Sequence, residues 1–202
     1  MAESGILALV LPEAKNFKAL ARLCAVEACY LYVADAVRRL GVLIEADAIG
    51  AEAVAVRLRL SNATRERLVH LRTISADIAP DVDGKALRAM LYREGVDAVV
   101  DRLVLSWAVR GPDTDVDLWE ALIELVKGYK RPKLSITGND ILALGLSGAD
   151  VGRVLGAVEA WWIAGDFAPT CDALLAKAKE FAAHLKFGHG RACPDHPFIN
   201  LH

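Results

Sequence analysis

The sequence is poor in residues that break helices and in the signs of a secreted, membrane-spanning or metal-binding chain. Seven prolines and fifteen glycines interrupt its 202 residues. β-Branched runs are short, and no strand pattern of convincing length appears. The four cysteines, Cys24, Cys29, Cys171 and Cys193, have the spacing of neither a disulfide framework nor a zinc site. The formal net charge is −2, so no basic field of the whole molecule speaks for nucleic acid, and any such sign must be local. Met1 to Leu11 is apolar but carries Glu3 and is followed by Pro12 and Glu13. It lacks the basic start and cleavage site of a signal peptide and is too short to span a bilayer. No other apolar run is long and uncharged enough. A cytoplasmic chain with no membrane partner is the expectation.

What is present is helix. The composition is 54% hydrophobic and 25% charged, which is globular, and Ala and Leu dominate. The periodicity predicts an all-α fold, an elongated multi-helix array of about ten short helices. Helices are expected over 2–11, 16–31, 33–44, 51–59, 62–75, 84–94, 96–110, 115–129, 137–144, 148–164 and 169–186. Residues 1–126 read as one helical domain, 127–186 as a second helical region, and 187–202, rich in His, Gly and Pro, as a disordered tail. Phe17, Leu20, Leu23, Cys24 and Glu27 share one helical face. In the next helix Val37 and Leu40 point inward, and Arg38 and Arg39 point outward. Asp113, Asp115 and Asp117 fall at the positive end of a helix, where carboxylates are favoured.

Constellations that could carry catalysis are weak. Asp113-Thr-Asp-Val-Asp117 mimics the paired carboxylates that bind Mg²⁺, but those need a strand and a preceding Gly-Ser loop, and only Gly111-Pro112 precedes. Asp81-Val-Asp-Gly84 departs from a calcium loop, with Tyr92 where the closing Glu belongs. His184, His189, Cys193 and His196 match no zinc pattern and read as a fortuitous polar tail.

The segment from Arg131 to Phe167 is the most informative. Gly145 and Gly148 bracket a turn between two helices, and the second begins with unsatisfied backbone N–H groups suited to a phosphate. Arg153 lies in that helix, with Lys130, Arg131 and Lys133 just upstream, a layout like a helix-hairpin-helix. Packing competes with this reading. Gly148, Gly152 and Gly156 recur every four residues and would let another helix approach, while Val151, Leu155, Val158 and Trp162 form a core stripe. For the glycines packing is the better account; for the basic residues both readings stand. Residues 57–72 hold Arg57, Arg59, Arg65, Arg67 and Arg72 against Glu66 alone, either a one-sided basic stripe or a solvated helix face. Arg65 and Arg72 are seven apart and share a face.

Leu134-Ser-Ile-Thr-Gly-Asn-Asp-Ile-Leu-Ala-Leu-Gly-Leu, Val151-Gly-Arg-Val-Leu and Gly165-Asp-Phe, taken with Met1-Ala-Glu-Ser-Gly-Ile-Leu, Val10-Leu-Pro-Glu-Ala, Leu58-Arg-Leu-Ser-Asn-Ala-Thr-Arg-Glu-Arg-Leu68 and Tyr92-Arg through Asp101-Arg-Leu-Val-Leu-Ser-Trp-Ala108, carry a family likeness. Residues 1–182 resemble the C-terminal region of the CCA-adding tRNA nucleotidyltransferase and bacterial poly(A) polymerase family, in its alphaproteobacterial form. The resemblance implies a chain that begins near the end of the neck, with body and tail helices that hold tRNA. The head, with its Gly-Ser loop, metal-binding carboxylates, Mg²⁺ and CTP or ATP, would lie outside this chain. The chain alone would then hold no cofactor and be inactive. The RNA-holding role is carried to Arg65, Arg67, Tyr92, Arg93, Lys133, Gly138 and Arg153, and the local basic cluster adds Lys130 and Arg131 as RNA-binding candidates; tRNA or another structured RNA is the implied partner and a separate catalytic head a second. Two positions depart from the family. Ser147-Gly-Ala-Asp150 lacks the usual proline and sets Asp150 near the phosphate position. Thr64 stands where relatives tend to have an acid, which weakens the capping box begun by Ser61. The alternative is a free-standing helical protein-interaction module, including a homodimer through the surface that would face the head.

Overall fold

The computed structural model describes residues 6–31, 33–74 and 77–188. Among them are eleven α-helices and one isolated antiparallel bridge, between Ala14 and Ile44. The helices are α1 (Ile6–Val10), α2 (Phe17–Val26), α3 (Ala36–Leu43), α4 (Ala48–Arg57), α5 (Asn62–Thr73), α6 (Gly84–Glu94), α7 (Val96–Arg110), α8 (Val116–Lys127), α9 (Gly138–Leu142), α10 (Ala149–Ala164) and α11 (Cys171–Gly188). The all-α expectation holds. The chain divides into two compact units, with the boundary between Lys130 and Arg131.

Side-chain caps start four of the eight helices of the first unit. Asp35 accepts the Arg38 amide at 2.8 Å, Asp47 the Gly50 amide at 2.8 Å and Asp83 the Ala86 amide at 3.1 Å. Ser61 accepts the Thr64 amide at 3.3 Å, and the two hydroxyls lie 2.8 Å apart. The cap of α5 therefore forms without the acid that position 64 lacks. Gly95, with φ of 85°, turns the chain between α6 and α7, a conformation that favours glycine. Asp117 lies in the first turn of α8, as the charge pattern requires, while Asp115 adopts a left-handed conformation and makes no side-chain cap.

The core of the first unit has two parts. One centres on Trp107 of α7, which stacks on Tyr30 at 4.7 Å and on Trp119 of α8 at 6.0 Å, among Leu23, Leu87, Leu103 and Ile123. The Trp107 indole N–H donates to the Pro112 carbonyl at 3.1 Å, so burial leaves its polar end satisfied. The other part joins Leu11, Ile44, Ala51, Val54, Ala55 and Leu68 beneath α4 and α5.

The helix expected over 16–31 is α-helical only to Val26; Glu27–Leu31 forms a wider π-turn. Of its expected stripe, Leu23 and Glu27 are buried, whereas Phe17 is exposed. α4 starts at Ala48 rather than at 51, because Asp47 caps it.

In the second unit Ile136, Ile141, Leu146, Val154, Val158, Trp162, Leu174 and Ala178 are buried, and α10 packs against α9 and α11. The α10–α11 turn holds Asp166 and Phe167 at positive φ. Trp162 fixes it, donating its indole N–H to the Phe167 carbonyl at 3.1 Å and meeting the Phe167 ring edge-on at 5.0 Å. The expected core stripe is rotated toward Val154, with Val151 and Leu155 half-buried. The expected disordered tail lies, from 189 onward, outside the described residues.

Candidate nucleic-acid interface

The dense arginines of 57–72 are largely spent within the molecule. Arg57 makes a two-pronged pair with Glu13, at 2.9 and 2.5 Å. Arg65 donates to the Asn62 side chain at 3.1 Å and lies 3.4 Å from Glu52. Arg72 donates to the backbone carbonyls of Ala46 and Gly41, at 2.8 and 3.1 Å. Arg59 is exposed, at positive φ just past α4. The shared face of Arg65 and Arg72 is thus not an open basic stripe, since each side chain is bonded to a different neighbouring segment.

Arg67 is the most committed. It donates to both Asp101 carboxylate oxygens at 2.8 Å and to Asp35 at 2.8 Å. These bonds, to Asp101 first, hold its guanidinium well above its ordinary basicity. Arg38, expected to face outward, is instead buried and donates to Asp101 at 2.9 Å and to Glu27 at 3.0 Å. Arg39 adds a 2.6 Å bond to Glu27. Three guanidinium groups thus meet three carboxylates in one network, which is how buried charge is tolerated. Burial pushes the Asp35 carboxyl up, but the Arg38 amide and the Arg67 guanidinium outweigh it and hold it below its ordinary range. The expectations from sequence do not contain this network. Its only signals there are Glu27 on an apolar stripe and Asp101 inside the hydrophobic run of α7.

The remaining candidates of the first unit divide by exposure. Tyr92 is buried in α6, and Arg93 beside it is exposed. Lys127 is paired with Glu124 at 2.8 Å, whereas Lys130 is exposed and forms no ion pair among the described residues.

The second unit contains Arg131, Lys133, Gly138 and Arg153. Arg131 and Lys133 are exposed on the extended segment that leads into α9, extended because Pro132 restricts its predecessor. Gly138 opens α9, and a methyl group there would lie 3.8 Å from Val151, so the starts of α9 and α10 are neighbours. Arg153 is exposed one turn into α10 and lies 3.3 Å from Asp150.

The phosphate reading of these helix starts meets two acids. The Asp140 carboxylate accepts the Thr137 amide at 2.7 Å and its hydroxyl at 2.8 Å, and these bonds hold Asp140 below its usual range. Asp150 occupies the first turn of α10. The exposed cations, rather than the helix ends, are what this unit offers a polyanion. The close helix approach expected over the glycines is also absent: a methyl group added at Gly148, Gly152 or Gly156 would meet nothing within 4 Å. α10 packs through Val154 and Val158 instead, which turns the glycines outward.

Among the described residues no three His, Cys, Asp or Glu side chains gather as a metal site would require. His184 is exposed on α11, and His189, Cys193 and His196 lie outside the described residues. No described helix is long and apolar enough to cross a membrane.

No family model matches the sequence, and no solved structure matches it. Among curated proteins it is similar to an uncharacterized 28 kDa protein in the petA 5′ region of Rhodospirillum rubrum. The two are 41% identical over 88 residues, which make up 41% of this chain and 32% of that protein. The matched stretch thus spans about a third of the relative's length.

Proposed function

We propose that this chain holds structured RNA, tRNA foremost, as the RNA-binding part of a tRNA nucleotidyltransferase that adds CCA to tRNA 3′ ends. The chemistry would come from a separate head bearing the catalytic carboxylates, Mg²⁺ and CTP or ATP. The observation that supports this reading best is the run Arg131-Pro-Lys133 in the second unit, exposed and without an acid in the run, immediately before the Leu134–Leu146 stretch that resembles the family. Arg153 and Gly138 belong to the same unit. Arg93 and Lys130 are the exposed cations of the first unit that fit the same role, whereas Arg67 serves the fold.

Binding of labelled tRNA at low and moderate salt tests this, with an Arg131→Ala/Lys133→Ala/Arg153→Ala variant alongside. Phosphate contacts release counterions, so affinity must fall steeply with salt, and losing three contacts should flatten the slope of log K against log salt by about 2–3. Absence of binding at low salt would sink the proposal.

A second reading rests on a different surface. Ile6, Leu9 and Val10 of α1 and Ile49 and Val56 of α4 are all exposed, apolar side chains that a partner could cover. A helical protein-interaction module, self-associating or bound to a head, would use these. Concentration-dependent sedimentation that an Ile49→Glu/Leu9→Glu variant abolishes would favour this reading.

A further inference from the structure

The first unit contains a cavity of about 230 Å³ that no role described above uses, open on one side between α2, α3, α5 and α7. Its walls are mostly apolar, with Val42, Leu105, Ala108 and Val109 among them, and two arginines, Arg22 and Arg72, line it as well. Those two differ from seven other arginines of the molecule. Arg38, Arg39, Arg57, Arg65, Arg67, Arg102 and Arg153 each face a carboxylate. Arg22 and Arg72 have no carboxylate partner among the described residues; they bond only to backbone carbonyls.

The carbonyls they hold are informative. Arg22 reaches the Val109 carbonyl at 3.4 Å, in the last turn of α7, and Arg72 reaches the Gly41 carbonyl at 3.1 Å, in the last turn of α3. Each helix C-terminus carries the equivalent of about half a negative charge, so two guanidinium groups against two such ends leave about one positive charge unbalanced. Both guanidiniums also keep donors to spare. Arg72 uses its Nε and one terminal nitrogen, and Arg22 uses one terminal nitrogen over a long bond, out of five N–H groups each.

We infer that this cavity binds a small amphiphilic monoanion, a carboxylate on a short alkyl or aryl body. The carboxylate is held by Arg22 and Arg72, and the body lies against Val42, Leu105, Ala108 and Val109. The apolar walls account for the body and the unbalanced charge for the single anion. The volume limits the ligand to a fragment rather than a drug-sized or polymeric one. None of these residues belongs to the proposed RNA interface, so either site can exist without the other.

The test is titration of the intact chain with hexanoate and phenylacetate, followed through backbone amide chemical shifts. Hexanol and phenylacetamide serve as neutral analogues, and acetate as charge without a body. Shifts centred on Gly41, Val42, Leu105 and Val109 are expected. The neutral analogues and an Arg22→Gln variant should each bind about tenfold more weakly, as loss of a charge-assisted hydrogen bond implies. Arg22 is exposed, so that variant keeps the fold. Ala19→Phe at the exposed rim should block binding sterically. Equal binding of the neutral analogues, equal binding of acetate, preference for uridine monophosphate, or indifference to both variants would each overturn the inference.

Discussion

The arginines of α5 and Lys133, at the start of the second unit, look alike in the sequence, yet they occupy opposite situations. Arg67 lies among Asp35 and Asp101, residues 32 and 34 positions away along the chain. Lys133 stands exposed on an extended segment and forms no ion pair among the described residues. Local charge density is therefore a poor guide to a polyanion site. What decides is whether the fold delivers carboxylates from elsewhere, and only tertiary structure shows that. Cations left exposed can exchange counterions for phosphates, while those buried against carboxylates would have to give up a bond worth keeping.

The contrast can be tested by substitution. Asp101→Ala leaves Arg38 and Arg67 without their shared partner and should cost about 3–5 kcal/mol, read in a denaturant melt. A loss under about 1 kcal/mol would mean the network is idle. Arg67→Ala should cost about 1.5–3 kcal/mol, while tRNA binding by the folded fraction stays unchanged. If binding fell at full foldedness, Arg67 would belong with the interface after all.

Acid should act on the same network. A carboxyl held below its ordinary value stabilises the fold fully above the unfolded value of about 3.9 and loses that contribution as pH falls through the folded value. Asp35→Asn, which keeps a capping oxygen, should cost about 1 kcal/mol at neutral pH. It should also flatten the fall in stability below about pH 4, seen by comparing melts of the two proteins across that range.

Gly152→Ala and Gly156→Ala act in the other direction. Each replaces a mid-helix glycine with open space around it, so each should stabilise by about 0.4–1 kcal/mol. Destabilisation would show that something packs there. Smallest in stability is Lys133→Ala, within about 0.5 kcal/mol, yet it should lower the salt slope of tRNA binding by about 1.

Much of the fold is legible in the sequence because local chemistry writes it. α6 and α7 fall where the pattern places them, since Asp83 caps the first and Gly95 separates the two. The start of α4 is harder to place because Asp47 looks like part of a loop rather than a cap. The π-turn at Glu27 is hidden because the apolar spacing runs through it without a break. Arg38 reads as outward for the sound reason that arginine usually is. Its partner Asp101 lies 63 residues away, beyond any local pattern. The candidate interface is legible as composition only. Periodicity marks cations on a face, but it does not reveal that Glu13 or Asp101 will neutralise some of them.

The charge network also bears on the order of folding. Glu27, Arg38, Arg67 and Asp101 come from four separate segments, and none of their bonds is local except the i, i+3 cap at Asp35. Their side chains stay hydrated until α3, α5 and α7 have docked, since desolvating a lone charge earlier is unfavourable. Late closure of the network, on the native side of the rate-limiting barrier, is the expectation from this cost. Weakening it should speed unfolding and leave the refolding rate nearly unchanged. Its contribution is to the lifetime of the folded state rather than to the speed with which that state is reached.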